Sequence, residues 1–232
     1  MTHSHIIKNI LFDVDGTLLD SKKDIANAQL HTLHQFGVDS FKAEDLYPLI
    51  GKSLFEIFSV LLPPHLHDRI PDAGVIYRTH YRAHVFDHTM LFPGVHETIQ
   101  RLHQQGINLA TATTKSTETT ERVLKHFGIA GYFCHILGTD NTPLKPDPYL
   151  IDTVVTQQGW KYDETLMVGD TDKDIDLGKN AGVLTCAVSY GSMSRAQLVA
   201  LEPDWIIDSI GELLTIVESN PRGTQPSVSL ST

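Results

Sequence analysis

Two carboxylates, Asp13 and Asp15, stand two residues apart where an apolar run, Ile6 to Phe12, gives way to Gly16 and Thr17. Apolar residues followed by turn chemistry describe a buried strand that stops where the acids begin. Acids crowded together repel unless a cation neutralises them, and a hard divalent ion such as Mg²⁺ prefers carboxylate oxygens. Three further segments repeat the design. Thr113, Thr114 and Lys115 close the apolar run that begins at Ile107. In Leu144-Lys145-Pro146-Asp147-Pro148 a lysine sits just ahead of a helix start. Leu166-Met167-Val168 runs into Gly169 and Asp170, with Asp172 and Asp174 close behind. If these strands run parallel, all four segments meet on one edge of the sheet, where open α/β sheets bind ligands. That edge then holds Asp13, Asp15, Asp170 and Asp174, offset by Lys145 and by hydroxyls. Mg²⁺ would neutralise the acids and leave positions open for phosphate oxygens, and Lys145 would add the remaining positive charge. A metal, a cation and a nucleophile held in position are the parts that phosphoryl transfer needs.

The elements that must position these residues can be read from periodicity. Residues 7–14 form the first strand. Residues 21–36 are helical, with Ile25, Ala28, Leu33 and Phe36 on one face, Ser21 as N-cap and Gly37 as stop. Short helices are expected over 43–47 and 53–61. Pro63-Pro64 breaks the chain, and a further helix covers much of 65–84. No strand is expected between 20 and 88. From Phe92-Pro93-Gly94 onward the pattern alternates. Strands are expected over 107–113, 133–137, 165–168, 184–188 and 205–207, with helices between them and a last helix over 209–218. Strands separated by helices imply an α/β architecture with a mostly parallel, doubly wound sheet. The enclosed helical stretch reads as an insertion. The expected division is a core from residues 1–19 and 88–218, an all-helical insert over 20–87, and a Ser-, Thr-, Pro- and Gly-rich tail over 219–232 that reads as mobile.

Asp13-x-Asp15-Gly-Thr, Thr113 at a strand end, Lys145 in Lys-Pro-x-Pro and Gly169-Asp170-x-x-x-Asp174 together resemble the four motifs of the haloacid dehalogenase-like superfamily. They come in the right order over nearly the whole chain. The insert is similar to the helical cap of the phosphoglycolate phosphatase-like branch. Leu49-Ile-Gly51-Lys52-Ser-Leu and Phe92-Pro-Gly94-Val-x-Glu97-Thr also resemble that branch and its relatives acting on pyrophosphate or nucleotides. The resemblance implies a Rossmann-like core and a Mg²⁺-dependent phosphatase acting on a small phosphorylated metabolite. Asp13 would be the nucleophile and form an aspartyl-phosphate. Asp15 would protonate the leaving oxygen and later activate water, and its backbone carbonyl would ligate Mg²⁺. Thr113 and Lys145 would hold the transferring phosphoryl oxygens. Asp13 and Asp170 would bind Mg²⁺, and Asp174 would act beside the metal, through water or by orienting Lys145. Thr114 stands where many relatives carry Asn, and its hydroxyl can still donate to a phosphate. Lys52 would meet an anionic substrate from the cap. Sugar phosphomutases, pyrophosphatases and nucleotidases share the motif set, as would a silent phosphate-binding protein. Dehalogenases typically lack the acid at Asp15.

Bulk properties narrow the partners. The chain has 232 residues, with 18 basic against 28 acidic side chains and a formal net charge of −10. No basic block invites nucleic acid. No apolar run approaches the roughly 20 residues that span a bilayer. A cytoplasmic location is expected, as a monomer or a homodimer. Cys134 and Cys186 lie in apolar segments and read as buried, reduced thiols. The thirteen histidines are scattered without a metal-ligand pattern and read as solvated or lightly packed. Asp172 and Asp176 read as helix-surface acids.

Overall fold

The computed structural model describes residues 6–140 and 142–219. Apart from Ser219, the expected mobile tail lies outside the described residues. β1 (Asn9–Phe12) is buried along its whole length, as a strand covered on both faces must be. β2 (Leu19–Asp20) leads into α1 (Lys22–Gln35), α2 (Ala43–Leu46), α3 (Leu54–Leu61) and α4 (Ile70–His84), and β3 (Met90–Leu91) returns the chain to the core. There follow α5 (Val95–Gln104), β4 (Asn108–Thr111), α6 (Thr117–His126), α7 (Tyr149–Gln158), β5 (Thr165–Gly169), α8 (Asp172–Ala181), β6 (Leu184–Val188), α9 (Arg195–Ala200), β7 (Trp205–Ile207) and α10 (Glu212–Glu218). The sheet order is β4-β1-β5-β6-β7, with every pairing parallel.

This order decides where a ligand can sit. The chain passes from β1 to β4 on one side, then resumes at β5 on the other side of β1. The winding therefore reverses between β1 and β5, and the crevice beyond their carboxyl ends is the binding position of an open α/β sheet. Pairing runs on past β1, since the Asp13 amide donates to Val168 O at 2.9 Å. That bond fixes the first acid of the loop against the neighbouring strand.

β2 and β3 pair antiparallel, Leu19 with Leu91 and Asp20 with Met90, at the two ends of the helical segment. Within that segment α1 packs along α4, and α3 packs on α4. The buried stripes are Ile25, Ala28 and Leu33 on α1, Ile57, Phe58 and Leu61 on α3, and Ala73, Tyr77 and Tyr81 on α4. The helix expected over 65–84 is divided. Residues Pro64–Arg69 form a 3₁₀ helix, and Pro71 starts α4, where its missing N–H is not needed. Among the described residues, no helix is long and apolar enough to cross a membrane.

Three expectations need correction. Residues 133–137 do not form a regular strand. They run beside β4 with two ladder bonds, from the Cys134 amide to Leu109 O (2.9 Å) and from the Thr111 amide to His135 O (3.1 Å), before Thr111 Oγ1 takes the Leu137 amide (2.9 Å), donates to the Leu137 carbonyl (3.0 Å) and interrupts the ladder. Cys134, in this segment at the side of β4 away from β1, is exposed, whereas Cys186 in β6 is buried. Ser21 does not cap α1 with its side chain, because its hydroxyl is committed to Asp15.

One buried carboxylate fastens the helical segment to the core. Asp24, in the first turn of α1, is 2% exposed. It accepts from the amides of His88 and Thr89 (2.9 and 2.8 Å), from the Thr89 hydroxyl (2.8 Å) and from the His88 ring (2.8 Å). Burial pushes its pKa up, but the bonds from His88 and Thr89 outweigh burial and hold it below the ordinary carboxylate range. A depressed folded-state pKa gives stability that is present above the unfolded value near 4 and fades as pH falls through the folded one. Removing the carboxylate strands buried amides, at roughly 1–3 kcal/mol each. Asp24→Ala should therefore lower the unfolding free energy by about 3 kcal/mol at pH 7 in urea titrations, and the deficit relative to wild type should shrink below about pH 4.

Candidate active site

Asp13 leaves the carboxyl end of β1 and Asp170 follows β5, so adjacent parallel strands bring the two acids together. Asp174 joins them from the first turn of α8. There it forms a capping box with Thr171: its Oδ2 accepts from the Thr171 amide (3.0 Å), the Thr171 hydroxyl (2.7 Å) and the Asp170 amide (3.2 Å). Oxygens of Asp13, Asp170 and Asp174 lie within 4.8 Å of one another, and all three residues are buried. Lys145 reaches in from the loop before α7. Its Nζ donates to Asp13 Oδ1 at 2.7 Å and to Asp174 Oδ1 at 2.6 Å, and the side chain is 2% exposed.

Asp170 is held from two loops. Thr17 Oγ1 donates to one oxygen (3.2 Å) and the Ser192 amide to the other (2.7 Å). Both loops reach it through glycine. Gly16 has φ +89°, and a Cβ there would lie 2.2 Å from Asp170 Oδ2. A Cβ on Gly191 would lie 2.3 Å from Asp170 Cβ and 2.6 Å from the Gly16 carbonyl. Any larger residue at either position forces the loops apart.

The charges do not balance on their own. Three buried carboxylates face one ammonium. Burial, reinforced by Asp174 and Asp170 and opposed by Lys145, pushes Asp13 up to about 7. Burial and then the charge of Asp174 push Asp170 up to about 6, against the bonds from Ser192 and Thr17. Burial pulls Lys145 down, but Asp13 and Asp174 hold it above its ordinary value. Oxygen donors with excess negative charge suit a hard divalent cation. Asp174 takes four donors over its two oxygens, against two for Asp170 and one for Asp13, so Asp13 and Asp170 keep more free lone pairs.

Asp15 is held apart from this cluster. Its Oδ1 accepts from Ser21 Oγ at 2.5 Å, and its Oδ2 lies 2.9 Å from Lys115 Nζ. A slot of about 10 Å³, room for about one water, is lined by Asp13, Asp15, Thr114, Lys145, Asp174 and Ser192. Asp15 and Thr114 also line a cavity of about 520 Å³ between core and helical segment, together with Lys52, Arg78, Arg82 and Lys115. Six of the sequence-predicted residues thus converge: Asp13, Asp15, Thr114, Lys145, Asp170 and Asp174. Thr113 is buried at the end of this strand segment. Its Oγ1 accepts from the Lys115 amide (3.3 Å), and its hydroxyl hydrogen stays available to donate. Lys52 is exposed and faces the larger cavity. Sequence reasoning overlooked Lys115, Ser21, Tyr81, Thr17, Gly191 and Ser192. Lys115 stood in view beside Thr114, and Gly191 follows a strand end in a Gly-Ser pair. Tyr81 offered only a helical period.

The chain matches the family model of the haloacid dehalogenase-like hydrolases over residues 10–188. It is 36% identical over 217 residues to the pyrophosphatase PpaX of Halalkalibacterium halodurans, covering 93% of this chain and 99% of that protein. Identity to the PpaX of Bacillus cereus AH820 is 35% over the same length and coverage. Among solved structures, a haloacid dehalogenase-like family protein from Streptococcus pneumoniae aligns with a TM-score of 0.83 at 28% identity, over 92% of this chain and 99% of that one. A predicted phosphoglycolate phosphatase from Haemophilus somnus 129pt aligns at 0.81 and 27%, over 90% and 97%. The chain belongs to the haloacid dehalogenase-like hydrolases.

Two outcomes follow from the packing and charge of the site. Raised carboxylate pKa values mean that the metal-free fold is penalised as pH climbs through about 6 and 7, while below about 4 the penalty vanishes. A divalent cation offsets that penalty and competes with protons. At 100 times its Kd it should stabilise by about 2.7 kcal/mol, or about 5–10 °C in Tm, at pH 8. At pH 5 the shift should be much smaller, and an equal shift at both pH values in differential scanning fluorimetry would contradict this account. Gly191→Ala should displace Asp170 and weaken cation binding at least about tenfold by calorimetry, while far-ultraviolet circular dichroism stays native.

Proposed function

We propose that the protein is a Mg²⁺-dependent phosphatase that hydrolyses a small phosphorylated metabolite through an aspartyl-phosphate on Asp13. The observation that carries this reading is the Lys145 ammonium bridging Asp13 (2.7 Å) and Asp174 (2.6 Å) inside a buried acid cluster, with a second, separately held acid, Asp15, lining the same slot. Asp13 and Asp170 would hold the ion with their carboxylates, and Asp15 with its backbone carbonyl. Bound there, Mg²⁺ supplies positive charge for the phosphoryl oxygens and keeps Asp13 ionised.

Asp13 attacks phosphorus, and the bond from phosphorus to the leaving oxygen breaks. Asp15 passes its proton to that oxygen, a contribution of typically about 10²–10⁴-fold. Asp15 then takes a proton from water, whose oxygen attacks phosphorus and releases phosphate from Asp13. Lys145, with the Thr113 and Thr114 hydroxyls, steadies the transferring oxygens, where fixed charge acts most strongly. Asp174 aims Lys145 and completes the acid cluster beside the metal. The helical segment over residues 20–87 acts as a cap that keeps bulk water from the core formed by 1–19 and 88–218.

Substrate choice belongs to the 520 Å³ cavity, where Lys52 and Arg78 suit a second anionic group and Arg82 is paired with Glu118. Phosphoglycolate and pyrophosphate both carry one. The relatives named pyrophosphatase, which match over 93% of this chain, favour pyrophosphate as the first substrate to test. Phosphate release should be Mg²⁺-dependent and fastest with pyrophosphate across a panel that includes phosphoglycolate and nucleoside monophosphates. Asp13→Asn should reduce turnover to background without lowering Tm, since it removes the attacking oxygen and relieves charge crowding at nearly constant volume. Wild-type turnover by that variant would sink the mechanism.

A further inference from the structure

Lys115 is a buried cation, 8% exposed, that the reaction above leaves without a task. Its Nζ lies 2.9 Å from Asp15 Oδ2 and donates to Tyr81 Oη at 2.6 Å, with the ammonium 4.4 Å from the Tyr81 ring centroid. The opposite oxygen of Asp15 is taken by Ser21. Each oxygen of the acid is therefore anchored, one from the residue before α1 and one from the loop after β4. The lysine backbone is itself fixed. Its amide donates to Thr113 Oγ1 (3.3 Å), its carbonyl accepts from the Thr139 amide (3.1 Å), and Gly138 packs so tightly that a Cβ there would lie 2.1 Å from that carbonyl.

Tyr81 comes from the other side of the molecule. It sits on α4 of the helical segment, buried, and its neighbour Tyr77 stacks on it at 5.6 Å. A neutral phenol neither competes with Asp15 for the ammonium's charge nor substitutes for it. It supplies an acceptor oxygen and a ring face, both of which favour a cation. The ammonium's partner beyond Asp15 thus comes from α4 of the helical segment.

We infer that Lys115 is a positioning residue: it holds the Asp15 carboxylate in the orientation from which a proton reaches the leaving oxygen, and Tyr81 makes that hold depend on closure of the helical segment. The inference rests on the acid role proposed for Asp15. Lys115 itself transfers no proton and touches no phosphoryl oxygen. A purely structural ion pair would support folding without favouring one substrate over another. A positioned acid matters most where the leaving oxygen is basic.

The test compares kcat/KM for p-nitrophenyl phosphate, whose leaving group departs without a proton, with that for phosphoglycolate, whose alkoxide cannot. This ratio reads every step through cleavage of the bond to the leaving oxygen. Lys115→Met should lose about 30-fold or more on phosphoglycolate and under about threefold on p-nitrophenyl phosphate, within the range of acid catalysis. Tyr81→Phe should show the same selectivity at smaller size, and Lys115→Arg should recover part of the loss. If Lys115→Met does not fold, the other two variants carry the same comparison. Equal losses on both substrates overturn the inference, as does a loss confined to KM, which would make Lys115 a substrate contact. Asp15→Asn is measured alongside. If it is not selective either, the acid reading has failed and the inference falls with it. If Asp15→Asn is selective and the Lys115 variants are not, the inference alone fails.

Discussion

One ammonium group shared among three buried carboxylates is the constraint on which the rest of the molecule depends. Lys145 satisfies Asp13 and Asp174 directly and leaves Asp170 to Thr17 and Ser192. Such an arrangement is costly to bury, because unpaired charge in a low-dielectric interior is disfavoured unless neutralised. The fold supports it with backbone. Parallel strands β1 and β5 end side by side, a capping box at α8 pins Asp174, and two glycines let neighbouring loops close on Asp170. Each device brings fixed donors or removes steric bulk around a charge that the side chains leave in excess. Stability given up at this point is what creates a place for a cation, in line with the general clustering of perturbed acids at functional sites.

The helical segment meets this core through contacts of a different kind. Asp24 ties its root firmly, through buried bonds to His88 and Thr89. Farther from that root, the joins are a half-buried ion pair, Glu56 with Lys173, and an exposed one, Arg82 with Glu118. Exposed pairs contribute about 0–1 kcal/mol each. The buried Tyr81–Lys115 contact joins the same two parts of the molecule directly beside Asp15.

Much of this was legible in the sequence, for identifiable reasons. The β strands that carry Asp13 and Asp170 are buried on both faces, so continuous apolar runs such as Ile10-Leu11-Phe12 and Leu166-Met167-Val168 mark them without ambiguity. The acids and Lys145 lie directly beside those runs or beside prolines, so local pattern located them. Tyr81 was not legible, because its role comes from packing across two segments 34 residues apart. Ser21 was misread because a serine ahead of a helix has two uses, and only the position of Asp15 decides between them. The segment over 133–137 was misread because one hydroxyl, Thr111 Oγ1, ends at Leu137 the ladder that a strand pattern presumes.

On the proposed reading, Asp15 is where the kind of reaction and the helical segment meet. An attacking carboxylate and a cation site would serve several displacement reactions, and a leaving oxygen is what makes a second acid useful. The chain invests two anchors in that acid, Ser21 and Lys115. Ser21 sits at the firmly tied root of the helical segment, and Lys115 sits on the core but leans on Tyr81 of α4. On the proposed reading, the proton is therefore in place when the cavity is closed and bulk water excluded, which is when transfer to a leaving group is most effective.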